Sequence, residues 1–132
     1  MNIRLYTDKD YTMIENWYLF HYGIKCVPEM FTEDSTFILE NEEGKPWVLV
    51  CLYLTNCKQT CWIEGTISDP SLTKNRRAAV KELYTFVFNF AKDKGYKKIF
   101  AMAETKKTIN LLTDCGYRIT CNCITSFIKD LE

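Results

Sequence analysis

Neither sign of charge is in excess in this chain, no long apolar run is present, and glycine is missing over a long central stretch. Seventeen Lys and Arg balance seventeen Asp and Glu, for a formal net charge of zero. A general nucleic-acid binder needs a basic surplus to neutralise phosphates, so the balance argues against that class. No apolar stretch approaches the length that spans a bilayer, and no membrane partner is expected. Repeats, low-complexity tracts and linkers are absent. The opening segment Met1–Tyr6 reads as the start of a strand rather than a targeting segment. Seven cysteines, an odd number, cannot close a complete set of disulfides. With no leader in view they fit a reducing compartment, and a cytoplasmic protein is expected. Of five glycines, none lies between Gly65 and Gly95.

What is there describes a small, well-built domain. The 132 residues are 47% hydrophobic and 14% aromatic, enough for a single domain over 1–132 with a real core and too apolar for disorder. Ile3–Tyr6 alternates as a half-buried strand does. Asp8 or Asp10 can cap a helix running to about Tyr22, with Met13, Ile14, Trp17, Tyr18 and Phe20 at helical spacing and Gly23 as its stop. Residues 24–35 hold Pro28 and read as a loop with a helical turn at most. Thr36–Glu40 is a strand, 41–44 a hairpin turn, and Trp47–Thr55 a nearly unbroken apolar strand of the kind covered on both faces. A fourth strand holds Trp62–Ser68. The loop 69–73 and a basic turn (Lys74, Asn75, Arg76, Arg77) then lead into a long helix over about 75–94. Val80, Leu83, Val87, Phe90 and Ala91 fall on one face of it, and Gly95 is its stop. Lys97–Ala101 is a strand, a short helix ends at Cys115-Gly116-Tyr117, and 117–131 reads as two strands or one bent strand. The aromatic residues Trp17, Tyr18, Phe20, Tyr22, Phe31, Trp47, Tyr53 and Trp62 are assigned by their period mainly to the core.

Cysteine spacing raises a metal site and then argues against it. Cys57 and Cys61 with Cys121 and Cys123 have four thiolates, but Cys121 and Cys123 on one strand are badly placed for tetrahedral ligation. Buried small hydrophobes are the plainer reading, and no metal is expected. His21, the one histidine, lies near the end of the first helix without a Cys or Ser motif around it and reads as a helix-end residue.

The order strand, helix (with a second helical turn), three antiparallel strands, helix, strand, helix and two closing strands resembles the GNAT acyltransferases over nearly the whole chain. The resemblance implies an α/β (α+β) domain with a mixed sheet of six or seven strands flanked by helices, splayed between the strands holding Ile67 and Phe100. It also implies acetyl-CoA as acyl donor, a small amine or protein amino group as acceptor, direct attack on the thioester, and a homodimer by family default. It sets His21 beside the acceptor pocket, and Trp17, Tyr22 and Phe31 in the stretch that lines it, where a bulky apolar pocket is the alternative to plain core packing. The family's pyrophosphate signature, Q/R-x-x-G-x-G/A, falls here on Asn75-Arg76-Arg77-Ala78-Ala79-Val80. Its purpose is to present bare backbone N–H groups at a helix N-terminus to phosphate. Ala78 and Val80 replace its glycines, and Lys74, Arg76 and Arg77 stand where direct charge-assisted bonds would compensate. A solvated first turn is the plain alternative, although positive charge there opposes the helix dipole.

The resemblance further puts the backbone at Ile67 and Ser68 against the pantetheine arm. It makes Glu64 the general base for the attacking amine, where an ordinary strand carboxylate is the alternative. Simple alternation sets Glu64, Thr66 and Ser68 on one face, opposite Ile63 and Ile67. Two family marks are replaced. Thr105 stands where an Asn often opens the short helix, and Leu112 stands where a Tyr often protonates the leaving thiolate, with Tyr84 and Tyr117 as substitutes that no motif supports. These departures support a second class of function: a GNAT-shaped binding or scaffolding protein without catalysis, of viral or mobile-element character.

Overall fold

The computed structural model describes residues 1–121 and 129–131. Five strands form one sheet in the order β1 (Asn2–Leu5), β2 (Thr36–Glu40), β3 (Pro46–Leu54), β4 (Thr60–Ser68) and β5 (Lys98–Phe100). The first four pair antiparallel, while β4 and β5 pair parallel, so the sheet is mixed as expected. Its strand count is five among the described residues rather than six or seven. Residues 117–121 are not strand, and the rest of the C-terminal strand expectation, at 122–128, lies outside the described residues.

Helices cover both faces. Along β2 and β3 the side chains alternate cleanly. Phe37, Leu39, Val48, Val50 and Leu52 join α2 (Arg76–Asp93) through Val80, Leu83, Val87 and Ala91. Ile38, Leu49 and Cys51 face the other way, onto Ile14, Trp17 and Tyr18 of α1 (Tyr11–Tyr22). A strand apolar on both sides has to be sandwiched in this manner, which is why the run 47–54 shows no polar alternation. The short α3 (Lys106–Asp114) adds Leu112 to the α2 layer.

Two local readings need correction. Asp10 does not cap α1 with its side chain. Its carboxylate instead accepts from the Thr7 N–H at 2.9 Å and from both Arg4 guanidinium nitrogens at 2.8 Å, tying β1 to the helix start. Burial alone would raise that carboxyl, but the bonds from Arg4 and Thr7 outweigh it and hold it below the usual range. Phe20 and Tyr22 are not core, being 68% and 60% exposed. The buried stripe of α1 runs through Ile14, Trp17 and Tyr18, at i, i+3 and i+4. On a 3.6-residue helix Phe20 falls well off that stripe.

The cysteines are spread through this frame. Cys51 and Cys61 are core residues on opposite faces, and no three metal-ligating side chains gather among the described residues. Cys57 sits exposed in the β3–β4 turn, its Sγ 3.1 Å from Thr55 Oγ1. Bonds from that hydroxyl and from the Gln59 and Thr60 N–H groups stabilise the thiolate and lower the thiol to about 6. Burial pushes Cys26, Cys51 and Cys61 the other way. Iodoacetamide is therefore expected to modify Cys57 ahead of those three, with a rate that climbs through about pH 6 and levels off above it. Peptide mass spectrometry between pH 5 and 8 checks this, and Thr55→Val should move the midpoint upward. Equal labelling of Cys57 and Cys51 would refute it.

Candidate functional site

The sheet opens between β4 and β5. The two strands pair only over Thr60–Trp62 and Lys98–Phe100, and their last pair, Trp62 and Phe100, is stacked with ring centroids 5.1 Å apart. Beyond it β4 runs on to Ser68 while the chain after Phe100 turns away toward the start of α3. The expected splay is thus present. Between the parted segments lies a cleft of about 700 Å³, inside the roughly 300–1,000 Å³ range of small-molecule sites.

A bulge in β4 decides what each wall carries. Leu49 pairs with Ile67 and Cys51 with Glu64, so Gly65 and Thr66 together oppose Val50 alone. Gly65 has φ +61°, a left-handed conformation that the extra residue of such a bulge adopts. The bulge breaks the alternation that the sequence implies. Glu64 and Ile67 share the α1 face with their partners Cys51 and Leu49, whereas Ile63, Thr66 and Ser68 fall on the α2 face with Leu52, Val50 and Val48. Glu64, Thr66 and Ser68 therefore do not share a face, because one inserted residue shifts a period-2 pattern by one.

On the α2 side the cleft is lined by Ile63, Val80, Tyr84 and Leu112, with Arg76 at the helix start and Thr105 and Thr108 at the start of α3. Asn75 precedes α2 in a left-handed conformation (φ +60°) and makes no side-chain cap bond. The first internal bond runs from the Ala79 N–H to the Asn75 carbonyl at 3.0 Å, so the N–H groups of Arg76, Arg77 and Ala78 have no intrahelical acceptor. Arg76 lines the cleft, its Nε donating to the Leu72 carbonyl at 3.1 Å. Arg77 is turned away and paired with Asp114 of α3. Ala78 is exposed, Ala79 is buried in the core, and Val80 is buried with its side chain among the cleft-lining groups. Thr105 caps α3, its Oγ1 accepting from the Thr108 N–H at 3.2 Å.

Tyr84 and Tyr117 separate clearly. The Tyr84 hydroxyl lies 2.8 Å from Thr66 Oγ1 on the cleft wall, and burial raises its phenol above the usual value. The Tyr117 hydroxyl is buried without a hydrogen-bond partner among the described residues and faces a smaller cavity with Ile109 and Arg118.

On the α1 side stand Tyr18, His21, Tyr22, Ile24 and Met30, around Glu64 and Ile67. Glu64 is half-buried, and its carboxylate has no hydrogen bond or ion pair among the described residues. Two α1 side chains grip the β4 backbone. The Tyr18 hydroxyl donates to the Gly65 carbonyl at 3.1 Å, and His21 Nε2 lies 2.8 Å from the Ser68 carbonyl. A carbonyl only accepts, so His21 carries its proton on Nε2 in that bond. The sequence reading preferred a plain helix-end role for His21 over the acceptor-pocket border that the resemblance implies, and gave it no contact. The signal was present: His21 continues the stripe of Ile14, Trp17 and Tyr18 at i+7, which carries it past the core and onto the cleft.

The fold has well-populated company. A Trypanosoma brucei acetyltransferase matches with a TM-score of 0.72 at 13% identity, covering 96% of this chain and 99% of that one. The fold is that of the GNAT acetyltransferases. AAC(6')-Iy, in complex with the bisubstrate analogue CoA-S-monomethyl-acetylneamine, matches at 0.71 and 16% identity over 98% of each chain. Glucosamine-6-phosphate N-acetyltransferase from Arabidopsis thaliana matches at 0.65 and 16% identity over 97% of this chain and 98% of that one. No protein-family model matches the sequence, and no curated protein does so at a significant level. In GNAT terms the cleft occupies the splay between the fourth and fifth strands, and no helix of the described residues is long and apolar enough to cross a membrane.

Proposed function

We propose that the chain is an N-acetyltransferase that uses acetyl-CoA and an amine. One observation carries the reading. A single cleft through the sheet joins an uncapped helix N-terminus on the α2 side to an unpaired carboxylate on the α1 side. These are the two things acyl transfer from a phosphorylated carrier to an ammonium requires.

The residues present fit acetyl-CoA without the usual glycines. The N–H groups of Arg76, Arg77 and Ala78 and the positive end of an 18-residue helix suit a pyrophosphate. Val80 turns its branched side chain inward, so it leaves that end of the helix clear. Arg76 and Lys74 stand beside it, while Asp114 already holds Arg77. The β4 edge from Ile63 to Ser68, left by β5, offers backbone to an extended pantetheine arm, with the Gly65 and Ser68 carbonyls already engaged by Tyr18 and His21. Bound acetyl-CoA supplies an activated acyl group, and the chain's residues position the rest. Glu64 takes a proton from the ammonium so that the free amine can attack. A nitrogen–carbon bond forms as the carbon–sulfur bond breaks, and the thiolate needs a proton. Leu112 has none to give. Tyr84, kept protonated by burial and hydrogen-bonded to Thr66 on the cleft wall, is positioned to provide it.

Calorimetry tests the first half of this scheme. Acetyl-CoA is expected to bind with a micromolar Kd, about −8 kcal/mol. Arg76→Glu should weaken it at least about tenfold, roughly 1.4 kcal/mol, by reversing the charge at the anion site. Arg77→Glu should change it far less, because Arg77 points toward α3. No binding at millimolar acetyl-CoA would retire the enzyme and leave a GNAT-shaped binding protein in its place.

A further inference from the structure

The α1 side of the cleft has a chemistry of its own. Around Glu64 the wall is Ile24, Met30 and the rings of Tyr18, Tyr22 and His21. No Lys or Arg lines this side, and Glu104 adds a second acidic group on the 101–105 wall. Tyr22 and Ile24 are 60% and 62% exposed, a large apolar surface to leave at the mouth of a cleft.

That wall is also held in place. The Tyr11 hydroxyl donates to the Cys26 carbonyl at 2.8 Å, and the Tyr53 hydroxyl donates to the Met30 carbonyl at 2.9 Å. Together they pin the segment after α1 at Cys26 and at Met30. Tyr22 is further braced against Tyr18, with ring centroids 5.7 Å apart. The apolar groups keep their positions before any ligand arrives, so little ordering is left to oppose binding.

We infer that the acceptor is an amine with an apolar, aryl-type body: its ammonium pairs with Glu64 and its body lies against Tyr22, Ile24 and Met30. The chemistry of transfer rests on the acetyltransferase reading, but the binding preference does not. A half-buried carboxylate without a partner gains most from a cation, and aromatic faces beside it favour that cation further. A phosphate or carboxylate on the acceptor meets two acidic groups and no Lys or Arg on this wall. A polyhydroxylated amine leaves hydroxyls unpaired against Ile24 and Met30, which is a strong ground for rejection.

Ligand-observed NMR with four probes tests this on the intact chain: phenethylamine, methylamine, phenethyl alcohol and glucosamine 6-phosphate. Phenethylamine is expected to bind most tightly. Tyr22→Ala should weaken it at least about fivefold and weaken methylamine far less, since it removes an exposed ring that meets the core only through its contact with Tyr18. Glu64→Gln should weaken both amines while sparing phenethyl alcohol. A merely structural role for either residue would move all probes together and overturn the assignment. Acetyl-CoA turnover run beside it separates the two claims. Phenethylamine binding without acetyl-CoA binding keeps the inference and sinks the transferase. Acetylation of glucosamine 6-phosphate with phenethylamine untouched does the reverse.

Discussion

Glu64→Gln is expected to lower turnover by about 10²–10³-fold while leaving acetyl-CoA affinity unchanged, since general-base catalysis contributes on the order of 10²–10⁴. The amide keeps the size and hydrogen-bonding reach of the carboxylate and removes its basicity. Glu64 is half-buried on the α1 face of β4, and no Lys or Arg among the described residues neutralises it. Its register partner is Cys51, a buried thiol that burial pushes up to about 12 and that therefore stays neutral beside it. The helix end proposed for the carrier lies on the other face. That separation is why the two parameters should split: kcat falls, and the carrier Kd stays where it was. Steady-state rates with phenethylamine at saturating acetyl-CoA, set beside calorimetry of the same variant, check it. If Glu64 is an ordinary strand carboxylate, neither number moves by more than about twofold, a few tenths of a kcal/mol.

A substitution on α2 asks a different question of the same cleft. Tyr84→Phe removes the phenol placed as proton donor and the bond to Thr66, but keeps the buried ring. Its effect should grow with the basicity of the leaving group rather than with the acceptor amine. The two carboxylate and phenol variants thus report on opposite ends of one transfer.

Much of this frame was legible because strands and helices here carry clean periods. The unbroken apolar run in β3 demanded cover on both faces, and the sheet delivers it. The stripe Val80, Leu83, Val87 and Ala91 placed α2, and the order of elements placed the splay. The walls of the cleft were harder. A glycine inside a strand reads equally as a weak strand residue or a bulge, and only the register with β3 shows that Gly65 and Thr66 share one partner. The role of Arg77 was invisible for another reason. Its partner Asp114 lies 37 residues on, in a helix whose position against α2 no local pattern reports. Phe20 and Tyr22 misled because an aromatic residue near an amphipathic stripe is core by frequency, yet these two sit at its margin and at the cleft mouth.

Gly65→Ala is expected to destabilise the fold by about 2–5 kcal/mol, the largest stability effect of any single methyl added at a glycine here. Two independent costs meet at this position. The backbone is left-handed at φ +61°, which charges an alanine about 1–2 kcal/mol. The new Cβ would also stand 2.9 Å from the Tyr18 hydroxyl and 3.4 Å from Cys51 Sγ, and overpacking of that kind adds about 1–3 kcal/mol. Gly44→Ala separates them, because Gly44 has φ +79° with nothing within 4 Å of its added Cβ. It should show the conformational cost alone, about 1–2 kcal/mol. Pairing Gly65→Ala with Tyr18→Phe removes the oxygen that the methyl strikes, together with its bond to the Gly65 carbonyl. The double variant should therefore lose less than the sum of the singles, by roughly 1 kcal/mol, a coupling that denaturant melts resolve. Full additivity would mean that the hydroxyl is not what the bulge packs against. The consequence reaches the site, since the bulge is what sets Glu64 on the α1 side and Thr66, with its bond to Tyr84, on the other. A strand that recovered stability by losing its bulge would bring Glu64 and Thr66 onto one face, and transfer activity should fall further than the melting temperature alone explains.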